Sequence, residues 1–142
     1  MIEPIQLVEQ HHIKSTDPRF ILIDKASFAA KNLYNKVNYI IRQEFINNGK
    51  WIRFASLYHL IKGEPEYSAL PRKVSNLILK QLDKNWKSFF AAIKAWKVTP
   101  EKFLGRPKLP KYKHKTDGRF MLIYDIQAVS KPCEMGLSNH LN

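Results

Sequence analysis

Lysine and arginine, the side chains that grip phosphate, are crowded into one third of this chain. Residues 72–119 hold 14 Lys/Arg against three acids, Asp83, Glu101 and Asp117, a local balance of +11. The stretch before them nets only +2 and the tail −1, within a whole-chain charge of +12. Self-repulsion makes such a field costly, and a compact domain does not need it to fold. It points to a polyanionic partner, with nucleic acid first.

Other chemistry is sparse. His11, His12, His59, His114 and His140 are scattered without a paired ligand pattern, so no metal site is expected. The single Cys133 excludes an internal disulfide and a cysteine-rich zinc site, and it fits a reducing compartment. Two-metal phosphodiester cleavage needs several convergent carboxylates. Asp125 stands without such a cluster, so no catalytic residue and no cofactor is assigned to this chain. Met1–His12 carries Glu3 and Glu9 and lacks the basic front and apolar run of a secretory signal. No apolar stretch approaches the length of a bilayer span. The expectation is a cytoplasmic chain without a membrane partner.

The elements that position the cations follow from apolar periodicity. A chain of 142 residues, 44% apolar and 12% aromatic, can build the core of one ordinary domain. Asp17-Pro18 reads as a helix cap followed by proline at the first helical position. From there to about Asn47, Phe20, Ile23, Ala26, Ala30, Leu33, Val37, Ile41 and Phe45 recur at helical spacing, and Tyr34 and Ile40 widen the face. Asn47-Asn48-Gly49 marks a turn. A shorter helical segment follows near residues 51–61, ended by Gly63 and Pro65.

A second long helix is expected from about Pro71 to Trp96. Val74, Ile78, Leu82, Trp86, Phe89 and Ile93 line one side of it, with Phe90 beside them as core. That side requires a partner helix. Lys80, Lys84, Lys87 and Lys94, together with Lys73, fall on the opposite side at the same period, where ammonium groups can follow a phosphate backbone. A solubilising lysine face would show the same pattern.

Beyond Thr99-Pro100 the run from Phe103 to Lys113 resists regular helix, because Pro107 and Pro110 remove donors and stiffen the path. Arg106, Lys108, Lys111, Lys113 and Lys115, with Arg119 further on, therefore sit along an extended arm. Arg106 suits bidentate phosphate contact, and Tyr112 or Phe103 could stack on a base or sugar. A purely structural linker is the alternative. Past Gly118, Phe120, Leu122, Tyr124 and Ile126 alternate with other residues like a strand running towards Ser130. Its expected mate is an early strand within residues 5–14, where Ile5, Leu7 and Ile13 share a parity. The organisation expected is an opening strand in 1–14, a helical domain in 15–98, a basic arm in 99–117 and a returning strand with tail in 118–142. The fold class is mainly α, a helical bundle inserted between strands of an incomplete sheet.

One ordered series of residues resembles a known family. Leu33-Tyr34-Asn35, then Tyr39, Arg42 and Phe45, are similar to the start of transposon-encoded TnpB proteins, also called OrfB transposases. The likeness continues through Tyr67, Leu70-Pro71, Val74, Leu82, Trp86 and Phe89-Phe90. It extends over Phe103, Gly105-Arg106-Pro107, Pro110, Tyr112-Lys113, Lys115 and Gly118-Arg119-Phe120 to Ser130. In that family this region is described as a helix-turn-helix domain of a transposase. The resemblance implies a helical recognition lobe inserted into a small β-barrel wedge domain, the two holding guide RNA and target DNA. Full-length members are magnesium-dependent DNA endonucleases related to type V CRISPR effectors. Their nuclease part follows this region and carries three acidic residues, often with a zinc-binding insert. Neither the acidic segments nor the zinc cysteines occur here, so magnesium and zinc sites are expected only in a separate nuclease portion. The expectation is a truncated, split or decayed member without catalytic power of its own. A self-contained helix-turn-helix DNA binder and a remnant serving only folding or association are the alternatives.

Overall fold

The computed structural model describes residues 10–122. It is mainly helical: α1 spans Pro18–Asn48, α2 Phe54–Ile61, α3 Pro65–Ser68 and α4 Arg72–Val98, followed by a 3-10 turn at Pro100–Lys102. No strand occurs among the described residues. Both expected strands extend into residues 1–9 and 123–142, which lie outside the described residues; residues 10–14 and 118–122 carry no regular element.

Local chemistry sets the helix limits. The Asp17 carboxylate accepts from the Arg19 N–H at 2.8 Å, Pro18 opens the first turn, and the Arg19 guanidinium closes back on Asp17 at 2.9 and 3.1 Å. At the far end Gly49 takes the left-handed conformation, φ 66°, and its N–H bonds the Phe45 carbonyl at 2.9 Å. Only glycine does this without a side-chain penalty, so the helix stops there. Between these limits α1 is 31 residues long, about 46 Å. Pro71 precedes α4 and removes the N–H that a longer helix would need there. Pro65, expected only as a terminator, instead opens the one-turn helix α3.

The apolar stripes of α1 and α4 close on each other. Leu33, Tyr34, Val37 and Ile41 are buried with Val74, Ile78, Leu79, Leu82 and Trp86, and α2 and α3 add Leu57, Ile61 and Tyr67. Burying each such side chain contributes about 1.5–3 kcal/mol, which is why the two long helices do not separate. Contacts advance in the same order along both helices: Asn38 meets Trp86, and Phe45 meets Phe89 and Phe90. Phe45, Trp86, Phe89 and Phe90 pack with ring centroids 5.2–6.3 Å apart, and Trp51 covers Phe90 at 4.9 Å. Phe89, Phe90 and Ile93 are half-buried, so this end of the core stays partly open.

The one acid in α4 is spent on α2. Asp83 accepts from the Phe54 N–H at 3.2 Å and pairs with Arg53 through two contacts of 3.0 Å. A carboxylate from a neighbouring helix thus caps the start of α2, where Arg53 offers no side-chain acceptor.

Candidate nucleic-acid interface

Residues 110–120 return along α1, antiparallel to it. Pro110 lies at Asn38 and Arg42, Lys113 at Asn35, Lys115 at Lys31, and Arg119 and Phe120 at Asp24 and Ser27. Positions 31, 35, 38 and 42 repeat at helical spacing, so their polar side chains form a ladder down one side of α1. They bind the arm's main chain. Asn35 donates to the Lys113 carbonyl at 2.9 Å and accepts its N–H at 2.8 Å, standing in for a neighbouring strand. Lys31 donates to the Lys115 carbonyl. Leu109, Phe120 and Leu122 pack on the core beneath, with Phe120 stacked on Tyr34 at 4.8 Å.

An extended chain advances about 3.3 Å per residue and a helix about 1.5 Å, so the arm outruns α1. A tight turn over residues 114–118 takes up the surplus. There the Gly118 N–H bonds the His114 carbonyl at 3.0 Å, and a Cβ at position 118 would stand 2.4 Å from that oxygen. Glycine is required.

Asn38 joins three segments. Its buried side chain accepts the Trp86 indole N–H at 2.9 Å and donates to the Pro110 carbonyl at 3.0 Å. Arg42 donates to the same carbonyl at 2.9 Å and lays its guanidinium over the Tyr112 ring at 4.8 Å. Sequence reasoning assigned no role to Lys31, Asn35 or Asn38. Their heptad-like spacing was visible, but polar residues at that period usually face water, and nothing local announces an arm.

The structure sorts the expected cations into two groups. Arg119 is fully engaged: it pairs with Asp24 at 2.8 and 3.2 Å and donates to the Thr116 and Gly118 carbonyls at 2.9 Å. Arg106 rests over Trp96 at 5.8 Å. Tyr112 turns from the lysines beside it towards Arg42 and keeps 42% of its surface exposed. Lys108, Lys111 and Lys113, by contrast, line a groove of 440 Å³ between the arm and α4. Tyr34, Asn85, Ser88, Phe89 and Ala92 form its other wall.

Lys80, Lys84, Lys87 and Lys94 are exposed on the side of α4 away from the core. Ser88 is about 40° round the helix from Lys84, so the lysine row flanks the groove. Lys80 leans the other way, over Phe54 at 5.6 Å. None of these four, nor Lys108, Lys111, Lys113 or Lys115, pairs with a carboxylate among the described residues. Most of the described acids are engaged elsewhere: Asp17 with Arg19, Asp24 with Arg119, Glu64 and Glu66 with Lys36, and Asp83 with Arg53; Asp117 lies beside His114, and Glu44 and Glu101 make no ion pair among the described residues.

These pairings shift the groups that make them. The hydrogen bond from Arg119 holds the Asp24 carboxyl below its usual range, and Lys36 does the same for Glu66. Lys31, 1% exposed, moves the opposite way for a cation: loss of water and the nearby charges of Arg119 and Lys115 lower its pKa. Burial pushes the Tyr34 hydroxyl up.

Among the described residues no group of three or more His, Cys, Asp or Glu could hold a metal ion, and no helix is long and apolar enough to cross a membrane. No protein-family model, no curated protein and no solved structure matches the chain.

Proposed function

We propose that this chain is a nucleic-acid-binding module, the N-terminal portion of a TnpB-like transposase that holds guide RNA and target DNA and takes its nuclease activity from a separate portion. The observation that carries the reading is the division of charge. Five of the eight described carboxylates pair with an arginine or with Lys36, while the lysines of α4 and the arm, those at 80, 84, 87, 94, 108, 111 and 113 among them, have no acidic partner among the described residues. A phosphate backbone is the partner that such a surface lacks. Because α1 grips the arm by its main chain, the backbone that carries the arm's lysines is already ordered before binding. The TnpB assignment itself rests on the residue series in the sequence. In that proposal the chain contributes binding, and no catalytic step is assigned to it.

The helix-turn-helix alternative requires a recognition helix whose start faces a major groove. The short helix available is α2, whose first N–H is occupied by the Asp83 carboxylate and whose Leu57 and Ile61 are fully buried.

Neutralising Lys108, Lys111 and Lys113 together to Gln tests the proposal. Binding to a labelled structured RNA should weaken, and the slope of log K against log salt should fall by about 2–3. Unchanged affinity and slope would remove the basis for the reading. Tighter binding to duplex DNA than to structured RNA would move the assignment to the helix-turn-helix alternative.

A further inference from the structure

We infer that the groove between α4 and the arm receives one nucleotide of a single strand, its base against Phe89 and its flanking phosphates on Lys108, Lys111 and Lys113. This rests on the nucleic-acid reading above and names the form of nucleic acid that the site takes.

The two sides of the groove differ in chemistry. The arm contributes Lys108, Lys111 and Lys113 together with Pro107 and Pro110, and no acid lines the groove. The α4 side contributes an aromatic ring, a small apolar residue and two neutral polar groups: Phe89, Ala92, Asn85 and Ser88. Phe89 is half-buried, and its ring is held by Phe45, Trp86 and Phe90 at centroid distances of 6.3, 5.8 and 5.2 Å. A ring fixed in this way loses little freedom when a base stacks on it. The Ser88 side chain makes no hydrogen bond among the described residues, so it is available to a base edge.

A volume of 440 Å³ lies within the range of about 300–1,000 Å³ that encloses small organic ligands. Paired, stacked bases in a duplex turn only their edges outward, so a duplex offers phosphates to the lysines and nothing to Phe89. Unpaired bases can be splayed out and stacked on aromatic side chains. Rim and floor are therefore satisfied together by a single strand.

The test compares a short labelled single strand with an abasic strand of the same length and charge, using the chain itself and its Ser88→Leu variant. Ser88 is exposed, so the branched aliphatic side chain fills the groove without entering the core and offers no ring on which a base could stack. Ala92→Leu serves as a second variant, and circular dichroism confirms the fold of each. The base-bearing strand should bind about fivefold or more tightly than the abasic one. In both variants that preference should vanish while the salt slope stays the same. Equal binding of the two strands by the unaltered chain overturns the inference and leaves the phosphate-binding reading standing. So does a preference that survives both substitutions. Failure of every polyanion to bind at low salt, duplex included, would instead sink the reading on which the inference rests.

Discussion

The side of α1 that faces α4 and the side that faces the arm are both closed by contact, but through different chemistry. Towards α4, Leu33, Val37 and Ile41 meet Val74, Ile78 and Leu82 in an apolar seam. Towards the arm, Lys31, Asn35, Asn38 and Arg42 hold main-chain groups. The first kind of contact depends on shape and volume and consumes side chains on both partners. The second leaves the side chains of the gripped residues Lys113 and Lys115 free of carboxylates, although Leu109, Phe120 and Arg119 of the same arm still pack or pair with the helical body. Where α1 binds the arm by its main chain it places no demand on residue type, and so those positions are free to carry lysines.

Removing the centre of the apolar seam should have the largest effect. Trp86→Ala is expected to cost about 3–5 kcal/mol in denaturant unfolding, because a large cavity opens and Asn38 loses a partner. Asn38→Ala should cost less, about 1–3 kcal/mol, since it leaves the Trp86 indole N–H buried without an acceptor. It should also abolish the distinction between the two sides: exchange protection would fall at the amides of the arm as well as on α4. Protection lost on α4 alone would show that Pro110 is held independently of Asn38.

The smallest effect is the response to acid. The Asp24 carboxyl is held lower in the folded chain than in the unfolded one, so between those two values the unfolded chain binds more protons. The contribution of its pair with Arg119 is complete above the ordinary carboxylate range and fades as pH falls through it. The Phe120 N–H, bonded to the Ser27 carbonyl, reports this locally. Its protection, taken relative to the intrinsic exchange rate at each pH, should fall in acid before the helical signal changes, whereas simultaneous loss of both would mean that the arm and the helix pair are one cooperative unit.

The helices were legible because their signals are local. Asp17-Pro18 and Asn48-Gly49 bracket α1, and the apolar period identifies the faces that α1 and α4 bury. The arm's stiffness was legible from Pro107 and Pro110, but its course was not. Whether Arg119 meets a phosphate or Asp24 depends on a contact 95 residues away in sequence. Tyr112 looked like a stacking residue for a ligand; a guanidinium from α1 covers one of its faces. The candidate groove was half legible. Its lysines were identifiable from charge alone, while Phe89 read as core because nothing in a helical period tells which core residue stands at an open edge.

The Asn38 amide also gives the protein an optical reporter of its own. Its two ends join the Trp86 indole to the Pro110 carbonyl, so displacement of the arm changes the surroundings of a fully enclosed fluorophore. Trp96, lying under Arg106, senses the other end of the same segment. Movement of the basic arm can therefore be followed by intrinsic emission, with no dye attached to the surface under study.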